Sequence, residues 1–411
     1  MIVNDLRERS TVLLINTIKV QPVSKLESRD GLDLHVVTEP AFSEIYGSRW
    51  TVHLVDDVDD LTEIRRTIFS LLKNGPIDFV VGASERSLQA AGYVRSLLAL
   101  PGARYEAASL ASNKFAMKSM LRDAGVPVAP FALVGGPGAA REAGDMLGWP
   151  VVLKPILGAG SKNIFRMNGP EDCAIGPGWP VFKSLAETDL PVIVEHFVDM
   201  EWEFHCEGVV QNGDIKFAAA ARSLLPRLEG FGKVNGSYCL PPESIEFDEI
   251  VRLYRRTIEA LGIRDAVTHM EGFRTAGDYL LGEITIRPAG GAIPDLILAQ
   301  YSVDLWDAFL AISLGEKADL IVHRDPKTCI EFWIPPVAGE VQSITARREI
   351  EEMPGVISAR VALKTGDISP GPQYSWSYAV QVIAHADADG DVMGPVERLV
   401  EIFDLTTSPA T

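Results

Sequence analysis

The chain of 411 residues has only four cysteines, Cys173, Cys206, Cys239 and Cys329, and no CxxC pair among them. A disulfide framework is therefore excluded, and the four read as small, reduced, mostly buried residues. Histidine is also sparse, with seven scattered residues and no HExxH, which speaks against a zinc site. Positive charge is short: 38 Lys and Arg face 56 Asp and Glu, a formal net charge of −18. Nucleic acid and anionic membrane both need a cationic face, so neither is expected as a partner. A few lysines in one cleft, or a divalent metal, can still hold a small anion against that field. Long apolar runs are missing. VLLI near the N-terminus is far shorter than a signal-peptide core, nothing reaches membrane-spanning length, and a cytoplasmic location is expected. There is no internal repeat, and low complexity is confined to ADADGD (386–391).

What is present is globular. Hydrophobic residues make up 47% and charged residues 23%, which excludes general disorder, in a length that suits two or three domains of roughly 150 residues. The first hundred residues alternate β-branched runs with helical patterns: TVLLIN (11–16), LHVV (34–37), WTVHLVDD (50–57), a helix over about 61–72, DFVVGAS (78–84), and a helix over about 85–100. Such alternation predicts a parallel sheet with helices on its faces. NTIKVQP stands after the first strand where a dinucleotide site has GxGxxG, so this unit reads as a scaffold or substrate-side domain. A helix capped by Ser112 or Asn113 is expected to end at Gly125. Strands PVVLKP (150–155) and PVIVEHFV (191–198) follow, then a hairpin over 203–220 turning at Asn212-Gly213-Asp214, a helix over about 248–261, and strands HMEGFRT and YLLGEITIRP. The tail from Thr328 mixes strands and helices.

Several polar residues sit where a plain core does not want them. Glu271 and Glu283 lie on two strands joined by the turn AGD (276–278), so a hairpin can set the two carboxylates side by side. Glu283, Thr285 and Arg287 share the period of two and one sheet face, opposite Ile284 and Ile286. A solvated strand face with an ordinary ion pair accounts for that pattern too. The PAGG turn directly after Arg287 favours a ligand, because backbone amides can approach closely there. Lys154 interrupts an apolar strand and needs an anionic partner unless it snorkels from an edge. GAGSKN (158–163) follows it, as expected of a loop over phosphates, though it is not a GxxxxGK[ST] P-loop.

Taken in order, Asn113-Lys114, PVVLKP, GAGSKN, VIVEHFV, Glu203, and Glu271 with Glu283 and Arg287 resemble the ATP-grasp superfamily over about 109–314. The C-terminal extension resembles that of ligases related to the L-amino acid ligases. The resemblance implies a Rossmann-like α/β unit (1–108), a two-subdomain ATP clamp (109–194 with a glycine-rich lid, 195–320 with a metal site) and a small α+β extension (321–411). It implies that Lys114 and Lys154 meet ATP phosphates, and that Gly158, Ala159, Gly160 and Ser161 close over them, with Lys162 nearby. Glu195 would meet the adenine amino group, the backbone of Phe197 or Val198 the ring edge, and Glu203 the ribose, with Glu201 a competitor because this segment carries one extra residue. Glu271 and Glu283 would hold Mg2+, for which Mn2+ can substitute; Thr285, standing where the family's ExNxR pattern has asparagine, would be a third metal residue, its hydroxyl a shorter, weaker ligand that holds the ion less fully or through water. Lys154, Glu283 and Arg287 would form the catalytic set. Arg287 would grip a small-molecule carboxylate, or its acyl phosphate, ahead of attack by an amine. Amino acid substrates are expected, His269 reads as a packed strand residue rather than a base, and a homodimer is left open. An ATP-grasp carboxylase or kinase, or a non-catalytic nucleotide-binding protein, is the alternative.

Overall fold

The computed structural model describes residues 9–158, 163–175, 180–188, 190–374, 377–387 and 390–409. Strands β1 (Ser10–Ile15), β2 (Leu32–Thr38), β3 (Trp50–Leu54) and β4 (Phe79–Gly82) form a parallel sheet in the order β3-β2-β1-β4. Both faces of β1 are covered. Val12 and Leu14 face one core, while Leu13 and Ile15 face helices Leu61–Leu71 and Leu88–Leu98 in another, so a continuous apolar run is what this strand requires.

Strands β5 (Phe131–Val134), β6 (Val151–Pro155), β7 (Phe165–Met167) and β8 (Val192–His196) make a second sheet, antiparallel, in the order β5-β8-β6-β7. The loop residues Ala159, Gly160, Ser161 and Lys162 lie outside the described residues. Beyond β8 come β9 (Trp202–Gln211), β10 (Asp214–Ser223), β11 (Asn235–Cys239), β12 (Ala266–Arg274), β13 (Tyr279–Thr285) and β14 (Cys329–Ile334). The chain finishes with β15 (Gly339–Ile344), β16 (Val356–Val361), β17 (Ile368–Ser369), β18 (Val380–His385) and β19 (Leu405–Ser408). Eight of these strands build one sheet, β13-β12-β9-β10-β11-β14-β18-β16; β17-β15-β19 form a small one. The C-terminal extension is thus a continuation of the central sheet.

The β9–β10 turn has positive φ at both Asn212 and Gly213, the twist a two-residue hairpin needs. One face of the central sheet packs on helix Ile245–Ala260. The other packs on helices Ile293–Tyr301 and Leu305–Ser313, which also cover β1 and β2 and so glue the two large sheets together. No single helix among the described residues is long and apolar enough to cross a membrane; that last helix pair is apolar because it fills a core.

Candidate active site

The β12–β13 hairpin sets Glu271 opposite Glu283 in register, as the spacing predicts. Ile284 and Ile286 point into the core, while Glu283, Thr285 and Arg287 face a cleft toward the N-terminal sheet. The cleft opens at the carboxyl ends of the neighbouring strands β1 and β4. Glu85, just beyond β4, accepts from the Thr285 hydroxyl (3.1 Å) and from Arg287 Nε (2.8 Å) and its terminal nitrogen (2.7 Å). Lys19, just beyond β1, is close enough to be affected by both charges. Burial and the Arg287 charge push its ammonium down to about 8, against an opposing pull from Glu85.

The lysines converge on the same cleft from the other side. Asn113 caps helix Lys114–Asp123 through the amides of Phe115 and Ala116. Lys114 Nζ donates to the Gly158 carbonyl (2.7 Å) and lies 3.4 Å from Glu283. Lys154 finds its anionic partner in Glu195 (3.1 Å). Glu195 is shared with Lys118 (3.3 Å), which lies one helical turn beyond Lys114 on the same helix. Burial opposes the charge of Lys154, but Glu195 and Glu283 outweigh it and hold the ammonium above its usual range. Burial equally opposes the Glu195 carboxylate, and the two lysines overcome it, drawing the group to about 2. For Lys118 burial wins and the pKa falls. Glu195 Oε1 is buried with no hydrogen-bond partner among the described residues.

A polar chain runs beneath the hairpin. Glu271 contacts His269 Nε2 (3.0 Å), His269 Nδ1 contacts Glu207 (2.6 Å), and Glu207 contacts His205 (3.0 Å). His205 then reaches Ser237 (2.8 Å), whose hydroxyl donates to Glu331 (3.2 Å). Burial disfavours charge on His269, yet the Glu207 and Glu271 carboxylates beside its two ring nitrogens outweigh it and raise it to about 10. Glu271 in turn lies well below the carboxylate range. Glu203 accepts from the Arg227 amide (2.7 Å), and burial pushes its carboxyl up to about 7. Glu201 sits further out, 4.0 Å from Arg274. The Phe197 amide donates to the Pro150 carbonyl, and Arg166 stacks over the Phe197 ring. Val198 follows directly, in the segment after β8.

The sequence reading missed Glu85, Lys19, Lys118 and the Glu207–His205–Ser237–Glu331 chain. A signal existed for Lys118, the i+4 partner of Lys114 within an apolar stripe, and for Glu85, at the carboxyl end of a parallel strand. Glu207, Ser237 and Glu331 meet only through sheet pairing.

The family described as L-amino acid ligase C-terminal domain 2 matches residues 331–401. Over 374 residues the chain is 32% identical to the L-arginine-specific L-amino acid ligase of Bacillus subtilis, covering 89% of this chain and 90% of that protein. This chain belongs to the L-amino acid ligase branch of the ATP-grasp superfamily. It is an ATP-dependent carbon–nitrogen ligase. The fold agrees. An L-amino acid ligase from Bacillus licheniformis superposes with a TM-score of 0.76 at 17% identity, covering 98% of this ligase and 100% of that chain. The Aspergillus clavatus N5-carboxyaminoimidazole synthase, in complex with ADP and an aminoimidazole ribonucleotide, gives 0.69 at 16% identity over 97% of this ligase and 99% of that chain.

Proposed function

We propose that the ligase activates the carboxylate of an amino acid as an acyl phosphate and passes it to an amine, forming an amide or peptide bond. The observation that carries this reading is the cleft where Arg287, Lys19 and Glu85 meet beside the paired acids Glu271 and Glu283. Two cations suit a substrate carboxylate and one carboxylate suits its ammonium, so the charge pattern matches a zwitterion.

The γ-phosphoryl group of ATP moves to a carboxylate oxygen and ADP departs; the amine nitrogen then attacks the acyl carbon and phosphate leaves. Anions must be brought together, so positive charge and oriented amides have to offset the transferring group. Lys154 and Lys114 do this from the lid side, Arg287 holds the carboxylate in line, and the glycine loop from Gly158 through Ala159, Gly160 and Ser161 closes over the phosphates and excludes water. Glu195 Oε1, an acceptor lacking a donor, fits the adenine amino group. With the Phe197 amide committed, Val198 supplies the ring-edge donor, and Glu203 meets the ribose. Glu271 and Glu283, hard oxygen donors opposed on one sheet face, fit Mg2+ and would hold it. The ion supplies Lewis-acid stabilisation of phosphate charge when bound. Thr285 acts through Glu85 in this scheme. The same reading divides the chain at 108, 194 and 320, with the second cut drawn inside β8.

Incubation with ATP and pools of amino acids tests this, with ADP and phosphate release followed alongside mass spectrometry of products. ADP, phosphate and a condensed product are expected. Pyrophosphate as the stoichiometric product would replace the acyl phosphate with an adenylate.

A further inference from the structure

Across the central sheet, about four strand spacings or 19 Å from β12, a second cluster of ligand-type side chains stands apart from the active site. Cys329 and His385 are paired in register on β14 and β18, and Asp325 arrives from the loop just before β14. Their ligand atoms, Cys329 Sγ, His385 Nε2 and an Asp325 carboxylate oxygen, all lie within 4.8 Å of one another. His385 Nε2 is 3.0 Å from Asp325 Oδ2. The loop that presents Asp325 is pinned by buried Gln300. Its side-chain amide donates to the carbonyls of Asp325 (2.8 Å) and Lys327 (3.0 Å), its side-chain oxygen accepts from the Cys329 amide (2.7 Å), and its carbonyl accepts from the Asp325 amide (2.7 Å). The Lys327 amide fixes the remaining Asp325 oxygen (2.8 Å).

We infer that Asp325, Cys329 and His385 form a zinc site that clips the loop after helix Leu305–Ser313 onto the C-terminal half of the central sheet. One sulfur, one imidazole and one carboxylate are a borderline-soft set, which selects zinc over magnesium. A tetrahedral ion at ordinary zinc bond lengths needs its ligand atoms about 3.3–3.5 Å apart, so separations that reach 4.8 Å must close by as much as roughly 1.5 Å. On binding, the thiol proton of Cys329 is released to solvent and the imidazole keeps its proton on Nδ1 while Nε2 takes the metal. His385 also lines a cavity of about 340 Å³ with Lys327, Gly355 and Arg398.

The test is Co2+ titration of the purified full chain, followed by displacement with Zn2+. A near-ultraviolet thiolate-to-cobalt band that saturates at one equivalent of Co2+ is expected, which zinc abolishes, Cys329→Ser removes and Cys173→Ser retains. Saturating zinc should raise the wild-type Tm by at least about 2 °C, since binding only the native state stabilises it. Lack of the band in wild type, or its survival in Cys329→Ser, overturns the assignment. If Cys329→Ser does not fold, Asp325→Asn and His385→Gln must each weaken zinc binding at least tenfold; unchanged affinity in both also overturns it.

Discussion

Glu195 holds two buried ammonium groups, so neutralising it removes the nearest counter-charge of both. Glu195→Gln should therefore lower unfolding stability by about 3 kcal/mol in urea, the scale expected when one member of a buried ionic cluster is removed. Lys154→Ala is different, because Lys118 remains on Glu195: the fold should persist while turnover falls several hundredfold or more. Glu283→Gln should lose a comparable factor, again in folded protein. Circular dichroism with steady-state rates separates these cases, and near-normal turnover in either variant removes that residue from the site. Thr285 donates its hydroxyl to Glu85, so Thr285→Val should raise KM for the carboxylate substrate and leave the Mg2+ midpoint unchanged. A raised midpoint would return Thr285 to the metal, as the family pattern implies.

At the scale of elements, close approach decides as much as charge. Gly208 on β9 faces the Tyr254 hydroxyl of helix Ile245–Ala260, which bonds Thr268 on β12 at 2.7 Å, and a Cβ at Gly208 would collide with that hydroxyl. Gly208→Ala should cost about 1–3 kcal/mol by thermal or denaturant unfolding, the usual penalty of overpacking. The parallel strands and the two hairpins were legible in the sequence because their signals are local: β-branched runs, Asn212-Gly213, the AGD turn. The Glu271–Glu283 pairing was legible for the same reason, since a short hairpin fixes its own register. Helix Tyr105–Leu110 was not, because only Ser112 and Asn113 announced a cap nearby. Glu85 and Glu331 escaped notice because their partners stand on distant strands. No local period shows which sheet faces will meet.

For the molecule as a whole, the polar chain that ends at Glu331 makes stability depend on pH. Burial raises the Glu331 carboxyl to about 7, above its ordinary 4.5, against pulls from Arg227 and Ser237. The folded chain therefore holds this proton where the unfolded chain has lost it, and the contribution declines as pH rises from about 4.5 through 7. Glu331→Gln mimics the protonated form, so its stability relative to wild type should climb across that window and level off above it. Denaturant melts of both proteins at pH 5, 6, 7 and 8 read this directly; a constant difference would mean that Glu331 ionises normally. The eight-stranded sheet also bears on engineering. Because β14 hydrogen-bonds to β11, removing everything after about residue 328 would bare a strand edge with its amides and carbonyls unpaired, an invitation to aggregation or to strand exchange between copies. Chimeras with relatives should then succeed only when the transplanted segment keeps the β11–β14 register, so this tail is exchanged as part of a weave and not as a cassette.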